Sequence, residues 1–310
     1  MHRISATPAA AVPAAAHGEG PTWDAGRGEL LWVDITAGLV RRAAVSTDGA
    51  LTEVATHRGG DTVGAVVPAA AGGWLLAAGG GFTHLTGDGE ARVLLTLTGE
   101  GGTEADGGTR MNDAACDPAG RFFAGTMAFD ERPGAGALYR LDLDGTVTTV
   151  LDGLTVSNGI GWSPDARTVY LADSGPGVVH AFDYDLATGA FGTGRVLLEF
   201  DGGDGVADGL TVDDDGCLWT ALWGGGQVRR WSPDGEPLAV VDVPVEQTSS
   251  CAFAGPGRDV LVVSTSAQGL DDAARAAQPD AGRLFTAHPG VTGPPASPYR
   301  GPLGALRQEG

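Results

Sequence analysis

Apolar residues in this chain come in short runs of four to eight, rich in Val, Leu, Trp and Phe, as in "ELLWVDI", "GRFFAGTM" and "GCLWTALW". The spacing expected of an amphipathic helix is nearly absent. Between the runs stand glycines and Asp-Gly pairs, the residues that make tight β-turns. Runs of strand length punctuated by turn chemistry predict an all-β protein.

The runs repeat. Leu31-Trp32, Trp74-Leu75, Phe122-Phe123, Val169-Tyr170, Leu218-Trp219 and Leu261-Val262 follow one another at intervals of 43 to 49 residues, the period of four-stranded propeller blades. A hairpin signal lies downstream of most of them, at Asp48-Gly49, Asp88-Gly89, Asp144-Gly145, Thr188-Gly189 and Asp234-Gly235. The pattern therefore predicts a single six-bladed β-propeller over residues 17–310. A β-sandwich would not produce evenly spaced copies.

Aligning the copies on the apolar pair brings "EGPTWD", "VGAVVP", "NDAACD", "NGIGWS", "DGLTVD" and "SSCAFA" into register, beginning at Glu19, Val63, Asn112, Asn158, Asp208 and Ser249. If these segments are the innermost strands, Glu19, Asn112, Asn158 and Asp208 converge on the central channel from four blades. Two carboxylates and two amides in a narrow channel are costly to leave without a cation between them. Oxygen donors favour a hard divalent ion such as Ca²⁺, Mg²⁺ or Mn²⁺. Asn and Asp also cap turns and strand ends, which would explain any one of the four taken singly. Four at one phase favour the ion.

The formal net charge of −20 disfavours nucleic acid and anionic membranes as partners and favours cations. No apolar stretch reaches the roughly 18 residues of a membrane span. Residues 1–16 lack the basic and apolar regions of a secretory signal and are expected to form a loose tail on a cytoplasmic protein. Cys116, Cys217 and Cys251 lie far apart, without the spacing of a zinc site or a disulfide framework, and are expected to be buried as small apolar residues. Trp32, Trp74, Trp162, Trp219 and Trp231 are expected in blade cores, whereas Trp223 is placed to reach the channel mouth. His17, two residues before Glu19, is a further pocket-edge candidate.

The segments "GEGPTW", "LLWVDI", "RMNDAACDPAGRFFAGTM", "GALYRLDLDG", "SNGIGWSPD", "FDYDLATG", "ADGLTVDDDGCLW" and "AGRLF" resemble, in order and over nearly the whole chain beyond residue 17, the regucalcin/gluconolactonase family, also called the senescence-marker-protein family. The resemblance implies a six-bladed propeller that hydrolyses a sugar lactone with one divalent metal ion in the channel, from among Ca²⁺, Zn²⁺, Mn²⁺ and Mg²⁺. It implies Glu19, Asn158 and Asp208 as metal ligands, with Asp208 also the acid/base residue. Arg110 and Asn112 match substrate-binding positions. Asp130 is the candidate for a carboxylate that the family uses after the "AGTM" segment. Relatives often carry Glu near that point, and the rim segment 131–136 here is short and rich in Pro and Gly. The acidic loop before Asn112 reads as a solvated segment.

Other chemistries find less support. There is no Gly-x-Ser-x-Gly elbow and no His-x-x-x-His pair in the sequence. A phosphotriesterase-like reaction on the same site, and a non-catalytic calcium-binding propeller, remain as alternatives, since a fold does not fix a function.

Overall fold

The six sequence copies become six antiparallel sheets in a ring, in a computed structural model that describes residues 1–97, 107–304 and 306–308. Most of the acidic loop before Asn112 lies outside these residues. The innermost strands are Gly18–Asp24, Val63–Pro68, Thr109–Cys116, Ser157–Trp162, Val206–Val212 and Thr248–Ala254, in blades 1 to 6. Each apolar pair falls on the second strand of its blade, for example Glu29–Asp34 and Phe122–Ala128. Those pairs are buried between neighbouring sheets: Trp32, Trp74 and Trp219 are at most 1% exposed. All three cysteines are free and buried.

In every blade the pairing of the innermost strand with the second slips at one place, the phase of the polar ring. The breaks lie between Glu19 and Thr22, Val63 and Ala65, Met111 and Ala114, Ser157 and Ile160, Ala207 and Leu210, and Thr248 and Ser250. Extra residues in one strand interrupt the alternation of faces and re-aim the side chains there. The residue after the ring position is glycine in blades 1, 2, 4 and 5, and in the last three a Cβ would overlap the next blade's innermost strand: Gly64 against Asn112 O, Gly159 against Leu210 N, Gly209 against Ser250 Oγ.

The first sixteen residues are not a loose tail. Thr7–Pro8 pairs with Phe285–Ala287 as the outermost strand of blade 6, so the two ends of the chain complete one sheet and close the ring. His2–Ser5 adds in parallel to Pro237–Asp242 on the outer edge of blade 5. Those outer edges would otherwise present unpaired backbone groups, and Pro8, which lacks an N–H, suits an outermost strand. Val12 and Ala15 are 1% and 4% exposed, which anchors the segment that leads into blade 1.

The C-terminal segment is also tied down. Tyr299 is fully buried; its N–H donates to Pro68 O and its carbonyl accepts from Ala70 N, both at 2.8 Å. Its hydroxyl donates to Asp142 O at 3.1 Å, which links blade 2 to blade 3. No helix among the described residues is long and apolar enough to cross a membrane.

Candidate active site

At one mouth of the channel the ring residues border a cavity of about 210 Å³ whose lining includes Glu19, Asn112, Asn158 and Asp208, together with Arg110 and Glu131. The convergence expected from the repeat is therefore present. Val63 and Ser249, at the same phase, contribute no charge. Ser249 instead donates to Gly18 O at 2.6 Å, a link between blades 6 and 1.

Glu19, Asn158 and Asp208 are 5%, 7% and 4% exposed. Glu19 accepts a hydrogen bond from Gly20 N at 2.8 Å. Asn158 Nδ2 donates to Asp208 Oδ1 and to Ser174 Oγ, and Ser174 in turn donates to Ala207 O at 2.7 Å. Asn158 Oδ1 is buried with no partner. Burial pushes the Glu19 carboxyl well above its usual range, and the neighbouring Asp208 and Asp113 add to the effect. Asp208 is pushed the same way by burial and then by Asp113. Two buried carboxylates that disfavour their own ionisation, beside an amide oxygen lacking any donor, form an all-oxygen set suited to a hard divalent cation. These residues fit the metal that the sequence resemblance implies.

Arg110 sits across the cavity. Its Nη1 donates to Asn112 Oδ1 at 2.7 Å and to Met111 O at 3.0 Å. Asn112 Nδ2 donates to Ser157 O at 3.0 Å. Asn112 is thus spent on fixing Arg110, whose guanidinium faces the carboxylates of Glu19, Glu131 and Asp208.

Asp130 is not brought into the site. Its side chain is 55% exposed and pairs with Arg132 at 2.9 Å, while the next residue, Glu131, lines the cavity. Glu131 has a left-handed φ of 53°, rare for a residue with a side chain. That turn leaves Asp130 against Arg132 and places its exposed neighbour Glu131 on the cavity rim. Strand spacing does not reveal which of two adjacent carboxylates a single left-handed residue places beside the cavity.

His17 and Trp223 form the opposite wall, with ring centroids 5.5 Å apart. Burial, with Arg110 nearby, lowers the pKa of the His17 imidazole to about 4, and its Nδ1 is buried without a hydrogen-bond partner. The ring is neutral at physiological pH. Met127, Val156 and Val206 complete the apolar lining. Reading the sequence alone passes over Glu131, Ser174 and these apolar residues. Only Glu131 carried a signal, its adjacency to Asp130.

Residues 17–267 match the family model described as "SMP-30/Gluconolactonase/LRE-like region". The chain belongs to this family. It is 37% identical over 288 residues to regucalcin from Danio rerio, covering 92% of this chain and 95% of that one. It is 36% identical over 284 residues to pentonolactonase XacC from Haloferax volcanii, with 90% and 92% covered. Among solved structures it is similar to a calcium-binding protein, regucalcin, from Agrobacterium tumefaciens, with a TM-score of 0.85, 29% identity and coverage of 96% and 98%. The likeness to that structure agrees with the six blades.

Proposed function

We propose that the protein is a divalent-metal-dependent lactonase that opens a sugar lactone to its hydroxy acid. The observation that carries this reading is the joint placement of the oxygen set of Glu19, Asn158 and Asp208 with Arg110 and Glu131 around one small cavity. Ion storage alone has no use for the second group. The pentonolactonase relative supports the substrate class. A volume of about 210 Å³ lies below the roughly 300–1,000 Å³ of pockets for drug-sized ligands, which suits a single small ring.

A divalent ion bound by Glu19, Asn158 and Asp208 would polarise the lactone carbonyl and ease ionisation of the attacking water. The Asp208 carboxylate takes a proton from that water as its oxygen adds to the carbonyl carbon. It returns a proton to the ring oxygen when the ring C–O bond breaks. Arg110, held by Asn112, and Glu131 grip the substrate hydroxyls and fix the carbonyl's orientation. Trp223 and neutral His17 cover the C–H face of the ring and keep bulk water out.

A substrate panel tests the reading. Pentono- and hexonolactones are assayed beside a phosphotriester, with acid release followed for wild type and Asp208→Ala. The proposal expects turnover of lactones by wild type and none by the variant. Turnover of the phosphotriester alone would move the site to phosphoryl chemistry.

A further inference from the structure

One half-buried carboxylate in the channel has no place in this scheme. Asp113 follows the ring residue of blade 3, at the position that is Gly20, Gly64, Gly159, Gly209 and Ser250 in the other blades. It is the one ionisable side chain at that phase. Where Gly64, Gly159 and Gly209 let neighbouring strands close together, blade 3 carries a charge.

Asp113 does not line the reaction cavity. It borders a second cavity of about 420 Å³, lined by the innermost strands of blades 1, 3, 4, 5 and 6 beyond the ring phase and by residues 294–297 of the C-terminal segment. Its carboxylate accepts from Ala114 N at 2.7 Å, and among the described residues no cationic side chain forms an ion pair with it. Arg110, the nearby cation, is hydrogen-bonded to Asn112 and Met111 O instead. Asp113 directly follows the ring residue Asn112 and shares this second cavity with Gly20, the neighbour of Glu19, and its charge acts on both Asp208 and Glu19. Three carboxylates thus share the channel with one guanidinium, a costly arrangement unless a further positive charge is bound. The partnerless Asn158 Oδ1, 7% exposed at the residue level and belonging to a side chain that lines the reaction cavity, points independently to that missing partner.

We propose that Asp113 sets the cation affinity of the Glu19–Asn158–Asp208 site from behind, as a third negative charge that does not ligate the ion. The inference rests on the metal reading above. In a low-dielectric channel a charge beyond contact distance still acts strongly on an ion, and residues outside a ligand set commonly change metal affinity about 10- to 100-fold. Asp113 also imposes a cost on the empty protein, because it repels the two ligand carboxylates. Its effects on the empty and loaded states have opposite signs.

The test uses wild type, Asp113→Asn and Asp113→Gly, the last restoring the residue of the neighbouring blades. Each is stripped with chelator, titrated calorimetrically with Mn²⁺ and with Ca²⁺, and melted without metal. The expected result is a Kd raised about 10- to 100-fold together with a metal-free Tm above that of wild type. A Kd within twofold of wild type overturns the inference and leaves the metal reading standing. A lowered metal-free Tm, or failure of both variants to fold, assigns Asp113 a structural role and overturns it too. A wild-type protein that binds neither ion overturns both readings.

Discussion

Asp213 ends the strand that presents Asp208, and its removal provides a quantitative test of how the site is held. Its carboxylate is fully buried. Oδ1 accepts from Cys217 N at 2.8 Å and Asp215 N at 3.0 Å. Oδ2 accepts from Trp219 Nε1 and Arg230 Nε, each at 2.8 Å. Asp213→Ala leaves the Cys217, Asp215 and Trp219 donors and Arg230 Nε without this partner, while Arg230 Nη2 keeps Asp215 at 2.9 Å. Breaking a buried ion pair by removing one member costs roughly 3–5 kcal/mol, a large part of the roughly 5–15 kcal/mol that holds a typical domain together. At about 2–4 °C per kcal/mol for large domains, the melting temperature should fall by roughly 10 °C. The control is Arg3→Ala, which removes an ion pair with Asp242 whose side chains are 62% and 38% exposed; it should cost under about 1 kcal/mol. Urea and thermal unfolding, followed by tryptophan fluorescence, measure both. A loss below about 1 kcal/mol for Asp213→Ala would refute the reasoning, since such a clip could not be what fixes the end of the Asp208 strand.

Glu131→Gln should raise KM for a lactone about tenfold or more, as expected when a charge-assisted hydrogen bond is weakened, while Asp130→Ala should leave steady-state kinetics unchanged; the reverse outcome would restore Asp130 to the site. Trp223→Ala should raise KM more than it lowers kcat, because it removes contact made equally in ground and transition states, and equal losses in both would place Trp223 closer to the chemistry. The metal-free protein should lose stability as pH rises. Asp113 has an ordinary value of 3.8 and is raised to about 6, and Glu19 and Asp208 move the same way. The folded state therefore holds these protons more tightly, and the contribution is complete below about pH 4 and is lost as pH climbs through 6 and beyond. Metal-free melting temperatures that rose across that window would contradict the assignment.

The fold and most of the site were legible because a propeller writes its geometry as a period. Equivalent positions are equivalent places, so Glu19, Asn112, Asn158 and Asp208 could be brought together across nearly 190 residues of sequence without coordinates. What the period does not encode was missed. The pairing of Thr7–Pro8 with Phe285–Ala287 depends on an edge at the other end of the chain, and two residues carry no alternation to read. The inward turn of Glu131 hangs on one backbone angle. The slip of each innermost strand at the ring phase is a register effect, visible in the sequence only as glycines such as Gly159 and Gly209. Asp113 is the one ionisable residue at the phase of those glycines, but the sequence does not show which cavity of the channel it borders.

The central claim is that lactone opening depends on one divalent ion held by Glu19, Asn158 and Asp208. The most direct measurement is to titrate chelator-stripped protein with Mn²⁺, Ca²⁺, Mg²⁺ or Zn²⁺ while following hydrolysis of a sugar lactone. Activity absent after stripping, restored by at least one ion and saturating at one ion per chain is the predicted result. Full activity in the stripped protein, or restoration that persists in Asn158→Ala with unchanged ion affinity, would contradict it.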